Sequence, residues 1–171
     1  MKDAAYRFCP LCATALEPAE VAGRARPRCP ACGFVQFLDP KVVVVVVVEH
    51  GARILLGRRD TEPARGQWSF IGGYVDRGEP VEAAAVREVR EESGLDVILT
   101  GLLGVFSRPD EAHVVIAYRA TVQGGVAGLA AQAGEVAELA FLAPDALPPL
   151  AFPNDRAIWD AWQRAASAGR G

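Results

Sequence analysis

Seven consecutive valines at positions 42–48 are the strongest constraint this chain places on its own fold. Valine branches at Cβ, which stiffens χ1 and favours the extended backbone. The run has no polar alternation, so both faces of the strand must be covered; exposed, it would invite aggregation. It is also far shorter than the roughly 20 apolar residues needed to span a bilayer. A buried central strand with a helical layer on each side is therefore expected. Asp39-Pro40 opens the run, and the residues before it are rich in Cys and Pro. This places a boundary near Leu38, with a small head at 1–38 and a main domain at 39–171.

The rest of the main domain follows from local signals. Residues 53–58 make a hairpin partner after a turn at His50-Gly51, and 67–70 and 73–75 are short extended pieces around a bend at Gly72-Gly73. Pro80 suits the first position of a helix, Ala, Val, Arg and Glu carry it over 81–93, and Gly94 supplies a left-handed stop. Strands are expected at 95–106, 112–122 and 136–142, with an Ala/Gly-rich loop at 124–134. A last helix at 155–168 carries Ile158, Trp159 and Trp162 as packing groups. The fold class is α/β, a mixed sheet sandwiched by helices. At 171 residues the chain has room for one such domain and a small appendage.

Composition narrows the partners. Hydrophobic residues make up 51% and charged residues 23%, the balance of a soluble globular protein. The net charge of −3 offers no basic surplus, so nucleic acid is not expected as the main partner. Residues 1–6 include Lys2 but no apolar run, so neither secretion nor a membrane is expected, and the cytoplasm is the expected compartment. There, Cys9-x2-Cys12, sixteen intervening residues and Cys29-x2-Cys32 read as four thiolate ligands of Zn²⁺ rather than disulfides. Pro10 and Pro30 follow the first Cys of each pair, and Gly33 gives the tight turn after the last, so the head reads as a zinc ribbon. Four thiolates close the coordination sphere, which makes the zinc structural. Arg24, Arg26 and Arg28 read as a solvated face, and the head as packing at a subunit interface, a homodimer.

On the helix 81–93, Glu88, Glu91 and Glu92 stand at i, i+3 and i+4 and share one face. Three like charges repel unless a hard cation such as Mg²⁺ or Mn²⁺ sits among them. Arg87, four residues before Glu91, can pair with a carboxylate and fix its rotamer. A glutamate-rich helix face is ordinarily just solvated. The wider spacing overturns that: from Gly73 there are five residues to Glu79, seven more to Arg87, then Arg87-Glu88-Val89-Arg90-Glu91-Glu92-Ser93-Gly94-Leu95. This is the full G-x5-E-x7-R-E-U-x-E-E-x-G-U signature, and the chain closely resembles the Nudix hydrolases.

The resemblance implies an α/β/α sandwich from about Asp39 onward. It implies that Glu88, Glu91 and Glu92 hold one to three Mg²⁺ or Mn²⁺ ions together with the carbonyl of Gly72. It further implies an acidic ligand or base from a loop before a late strand, where Glu135 is best placed and Glu138 second. Ile71 departs from the Pro that many relatives have there. The implied reaction is hydrolysis of the diphosphate of a nucleotide-derived small molecule. Four residues are candidates for the substrate side: Arg58 and Arg59 for a phosphate, Trp68 for stacking or else core, and Gly73 for close backbone approach. His113 and His50 read as ordinary strand and turn residues.

A ribbon ahead of such a domain resembles two groups, the NADH pyrophosphatases and the zinc-ribbon hydrolases of ADP-ribose and FAD. The first carry Ser-Gln-Pro-Trp after the signature; here the stretch is Gly104-Val105-Phe106-Ser107-Arg108-Pro109-Asp110, without Gln-Pro-Trp. Together with Leu150-Ala151-Phe152-Pro153 and Pro109, this favours ADP-ribose or FAD over NADH. A non-catalytic nucleotide sensor is the competing class. Sensors lose catalytic carboxylates, none is lost here, and no segment reads as a helix-turn-helix, so the enzyme reading prevails.

Overall fold

The computed structural model describes residues 6–109 and 111–168; Lys2 and Asp110 lie outside the described residues. Those up to Pro40 form one compact unit and those from Lys41 onward a second.

In the first unit, β1 (Glu17–Val21) and β2 (Arg24–Arg28) make an antiparallel hairpin closed by Ala22 and Gly23, both at positive φ. Two knuckles flank it. Cys9 accepts the amide of Ala13 and Cys29 that of Gly33, and both of these residues are left-handed, at φ 57° and 78°. The turn foreseen at Gly33 is thus repeated at Ala13, where a Cβ must tolerate it.

The second unit holds a seven-stranded mixed sheet. Its strands are β3 (Lys41–His50), β4 (Arg53–Arg59), β5 (Trp68–Ser69), β6 (Ile71–Tyr74), β7 (Val97–Ser107), β8 (His113–Val122) and β9 (Val136–Leu142), with α1 (Val81–Ser93) and α2 (Pro153–Ala168). The main path runs β5-β4-β3-β8-β7, with β6 on β3 and β9 on β4. One edge of β3 runs parallel to β8; the other is divided, pairing with β6 at Val43–Val46 and with β4 at Glu49 and His50.

The valine run explains both layers. Val44, Val46 and Val48 point into a core with Ala84, Ala85 and Val89 of α1. Val47, with Val43 and Val45 at its border, meets Phe70, Ile158, Trp159 and Trp162 on the α2 side. Strand alternation sends successive valines to opposite faces, so an uninterrupted run supplies two cores. Val44, Val46, Val47 and Val48 are fully buried, each contributing roughly 1.5–3 kcal/mol. The two Trp rings stack 4.7 Å apart, and the Trp162 indole N–H donates to Glu49, which also pairs with Arg119 at 3.1 Å.

Two expectations are corrected. Gly72-Gly73 is not a bend but part of β6, in register with Val45 and Val44. Pro80 stands one residue outside α1 as its extended N-cap, while Gly94 closes the helix at φ 72° with its amide donating to Arg90. Among the described residues, no helix is long and apolar enough to cross a membrane.

Candidate functional site

The glycine pair on β6 is required by what lies on either side of it. A Cβ on Gly72 would fall 2.1 Å from the Val44 carbonyl oxygen, and one on Gly73 2.4 Å from the Glu88 carboxylate. The strand is thereby drawn against β3 while the carboxylate of Glu88 presses onto its backbone. Glu88 and Glu92, four residues apart on α1, face this strand, and the Gly72 amide donates to Glu92 at 3.4 Å.

Arg87 organises the remaining charge. It grips Glu79 with two bonds of 2.8 and 2.9 Å, reaches Glu88 and Glu91 at 2.9 Å each, and donates to the Tyr74 carbonyl at 3.1 Å. The pairing expected between Arg87 and Glu91 is present. Glu79, held by Arg87 and by the Asp76 amide, is lowered to about 2. Glu88 and Glu92 move the other way. Burial raises Glu88, with the charges of Glu91 and Glu135 adding to it, and burial raises Glu92 to about 8. Two carboxylates kept from water beside further acids are what a cation would relieve, and an all-oxygen donor set suits Mg²⁺ or Mn²⁺. Glu91 differs in being half exposed and turned to Arg87.

Beside this face lies a cavity of roughly 230 Å³, reached by Glu92, Gly72, Gly73 and Glu135. Its lining also gathers residues distant in sequence. Tyr74 Oη and His113 Nε2 lie 3.2 Å apart, Asn154 reaches toward Glu111 at 3.4 Å, and Asp155 is 3% exposed. Burial raises Asp155 to about 7, opposed by the Phe152 amide and the charge of Arg59. Arg59 lies over the ring of Phe152, 4.9 Å from its centroid, and donates to the Pro63 carbonyl.

The substrate-side candidates separate. Arg59 and Gly73 line the cavity, whereas Arg58 is taken up by Glu138 at 3.0 Å, which pairs with it across β4 and β9. Arg58 and Glu138, the second candidate acid, thus form a half-exposed ion pair on neighbouring strands. Trp68 packs on the α2-side core, with its carbonyl accepting the Ala151 amide, and does not reach the cavity. Glu135 does reach it, from the loop immediately before β9. Tyr74, His113, Glu111, Asn154 and Asp155 were missed; no local spacing marks them, because four elements bring them together.

The NUDIX domain model matches residues 38–163. The chain belongs to the Nudix family. It is a Nudix hydrolase, a pyrophosphohydrolase by reaction class, of a family that generally uses a divalent metal and acts on small nucleotide substrates. Over 129 residues it is 40% identical to an ADP-ribose pyrophosphatase of Methanocaldococcus jannaschii, covering 72% of this chain and 74% of that protein. Over 152 residues it is 33% identical to the NAD-capped RNA hydrolase NudC of Pseudomonas aeruginosa, covering 89% of this chain and 52% of that one. The chain thus spans about half the length of this second relative. The crystal structure of a NUDIX hydrolase from Nitrosomonas europaea matches with a TM-score of 0.82 at 27% identity, covering 93% of this chain and 89% of that one.

Ahead of the Nudix domain, the Sγ atoms of Cys9, Cys12, Cys29 and Cys32 all lie within 4.8 Å of one another. Among the described residues this is the one set of three or more potential ligands gathered so tightly. Sγ separations of 3.5–3.6 Å are close to the edge of a tetrahedron with Zn–S bonds of about 2.3 Å. Four thiols at this spacing fit zinc.

Proposed function

We propose that this Nudix hydrolase cleaves ADP-ribose to AMP and ribose 5-phosphate, with FAD, cleaved to AMP and FMN, as the second substrate. The observation that carries this reading is the cavity set directly against Glu92 and the β6 glycines, lined by apolar Val43, Val45 and Phe70 and by polar Tyr74, His113, Asn154 and Asp155. It suits one flat, hydrogen-bonding half of a dinucleotide-like molecule, with its diphosphate left at the glutamates. The likeness to an archaeal ADP-ribose pyrophosphatase supports the same choice.

In this reading Glu88, Glu91, Glu92 and the Gly72 carbonyl hold Mg²⁺ or Mn²⁺. Bound there, such an ion would supply positive charge to offset the diphosphate and would make a water more acidic. Arg87 orients Glu88 and Glu91 through a hydrogen bond to each carboxylate. Glu135, at the cavity wall, accepts the proton of the attacking water. Arg59, steadied by Phe152, faces the substrate phosphate. The four cysteines hold a structural Zn²⁺, and the whole acts in the cytoplasm.

Discrimination is measured by kcat/KM compared side by side for ADP-ribose, FAD, NADH and a nucleoside triphosphate with Mg²⁺. ADP-ribose should lead. A tenfold preference for NADH or a triphosphate over both ADP-ribose and FAD would remove the substrate assignment and leave the reaction class standing.

A further inference from the structure

The ribbon hairpin sorts its charges by face. On β2, Arg24, Arg26 and Arg28 occupy alternate positions, and alternate residues of a strand share one face. Their neighbours across the hairpin are Val21, Ala19 and Glu17. This face therefore carries three guanidiniums and one carboxylate, while Glu20 stands on the other. Arg26 is committed, donating to the Val21 carbonyl and lying 4.9 Å from the centroid of the Phe37 ring. Arg24 and Arg28 are exposed, and among the described residues neither makes an ion pair, Arg28 not even with Glu17 opposite.

Aromatic surface borders this stripe. The chain after the second cysteine pair returns beside β2 through the bridge of Val35 to Arg28 and the Gln36 amide donating to Pro27. That register sets Phe37 beside Arg26, yet Phe37 stays 53% exposed. The Gln36 side chain accepts the Tyr6 amide at 2.6 Å, and Tyr6 is 55% exposed. Same-face residues repeat about every 6.6 Å along a strand, so the arginines form a ladder of positive charge beside open rings.

We infer that this face binds single-stranded RNA, Arg24 and Arg28 meeting successive phosphates and Phe37, backed by Arg26, stacking on a base. Basic groups that track a backbone next to aromatic platforms are how single strands are held without sequence preference. A second copy of the chain is the wrong occupant, because two such stripes facing across a two-fold axis repel. The choice of RNA over DNA rests on the hydrolase reaction class: a newly started RNA keeps a phosphate anhydride at its 5′ end, and a replicated DNA strand does not. The small overall negative charge does not oppose this, because the field that matters is local to the stripe.

The full chain is titrated into a 5′-fluorescein-labelled, 12-nucleotide RNA of mixed sequence, with anisotropy read between 50 and 200 mM NaCl. Wild type should bind and weaken steeply with salt. The double variant Arg24→Ser/Arg28→Ser should bind at least about tenfold more weakly at low salt, with its salt slope smaller by about 1.4, the value for two phosphates on a single strand. Phe37→Leu should weaken binding and leave the slope unchanged, since stacking releases no counterions. Hydrolysis of free nucleotide by either variant should match wild type, so loss of RNA binding stays distinct from failure of the hydrolase reading. Absence of RNA binding by wild type at 50 mM NaCl, or equal binding by the double variant, overturns the inference. So does a wild-type dimer, seen by light scattering, that the double variant loses, since the face would then be a contact between copies.

Discussion

The cysteine cluster and the glutamate face both gather acidic side chains, but they hold them by different means. The four Sγ atoms lie within 4.8 Å of one another because the main chain places them there: each pair bends through a knuckle with one left-handed residue, Ala13 or Gly33. The glutamates sit at the ends of longer side chains, and a protein cation is already among them, with Arg87 touching Glu79, Glu88 and Glu91. A site fixed by backbone geometry suits a resident ion that contributes to folding. A site made of adjustable carboxylates balanced by an arginine suits an ion that exchanges and that arrives with an anionic substrate.

The contrast breaks most directly at Glu92. Replacing it with Gln removes a negative charge without changing shape, and on the proposed role turnover should fall by about 10²-fold or more with the melting temperature held or raised. Near-normal Mg²⁺-dependent turnover would remove Glu92 from the catalytic face. Gly73→Ala tests the same site from the backbone side, because the added Cβ would lie 2.4 Å from the Glu88 carboxylate and must displace it. A loss of roughly 10- to 100-fold in kcat is expected, since small misplacements of a catalytic group cost that much. An unchanged kcat would mean that the position of Glu88 is not critical.

The cysteine site should answer differently. Cys9→Ser, at a buried thiol, should abolish stoichiometric zinc measured by elemental analysis, while hydrolysis of free substrate changes by no more than about threefold. A loss of activity as large as that of Glu92→Gln would show that the thiolate site takes part in turnover.

What the sequence made legible is what local chemistry decides. The valine run, the α1 boundaries with Gly94 as their stop, the placing of Glu88 and Glu92 on one side of that helix, and the paired cysteines all depend on periodicity or spacing over a few residues. The division of Arg58 from Arg59 was hidden, because it depends on Glu138 standing opposite Arg58 in a ladder that joins residues far apart in sequence. The Gly72-Gly73 pair read as a bend for a related reason. Glycine is suited both to turns and to close approach, and only the register with Val44 and Val45 tells which one operates. His113 and Asp155 looked like ordinary strand and helix residues until the sheet and α2 brought them to one cavity.

That cavity supplies the smallest and most specific effect. Asp155 is 3% exposed, and burial raises its carboxyl from an ordinary 3.8 to about 7. The folded state therefore holds a proton that the unfolded chain gives up near pH 4. Its contribution to stability is fully present below the unfolded value and is lost as pH rises toward 7, at a limiting rate of about 1.4 kcal/mol per pH unit. Asp155→Asn removes this titration and keeps an oxygen able to accept the Phe152 amide, which now donates to Asp155 at 3.0 Å. The melting temperature of the variant minus that of wild type should accordingly grow from pH 4 to pH 7 and level off above it, reaching several degrees. Neighbouring Arg59 lowers the carboxyl and so limits the gain. A difference that stays flat over this range would show that Asp155 is ionised in the folded protein throughout, with Arg59 rather than burial dominating at that carboxyl.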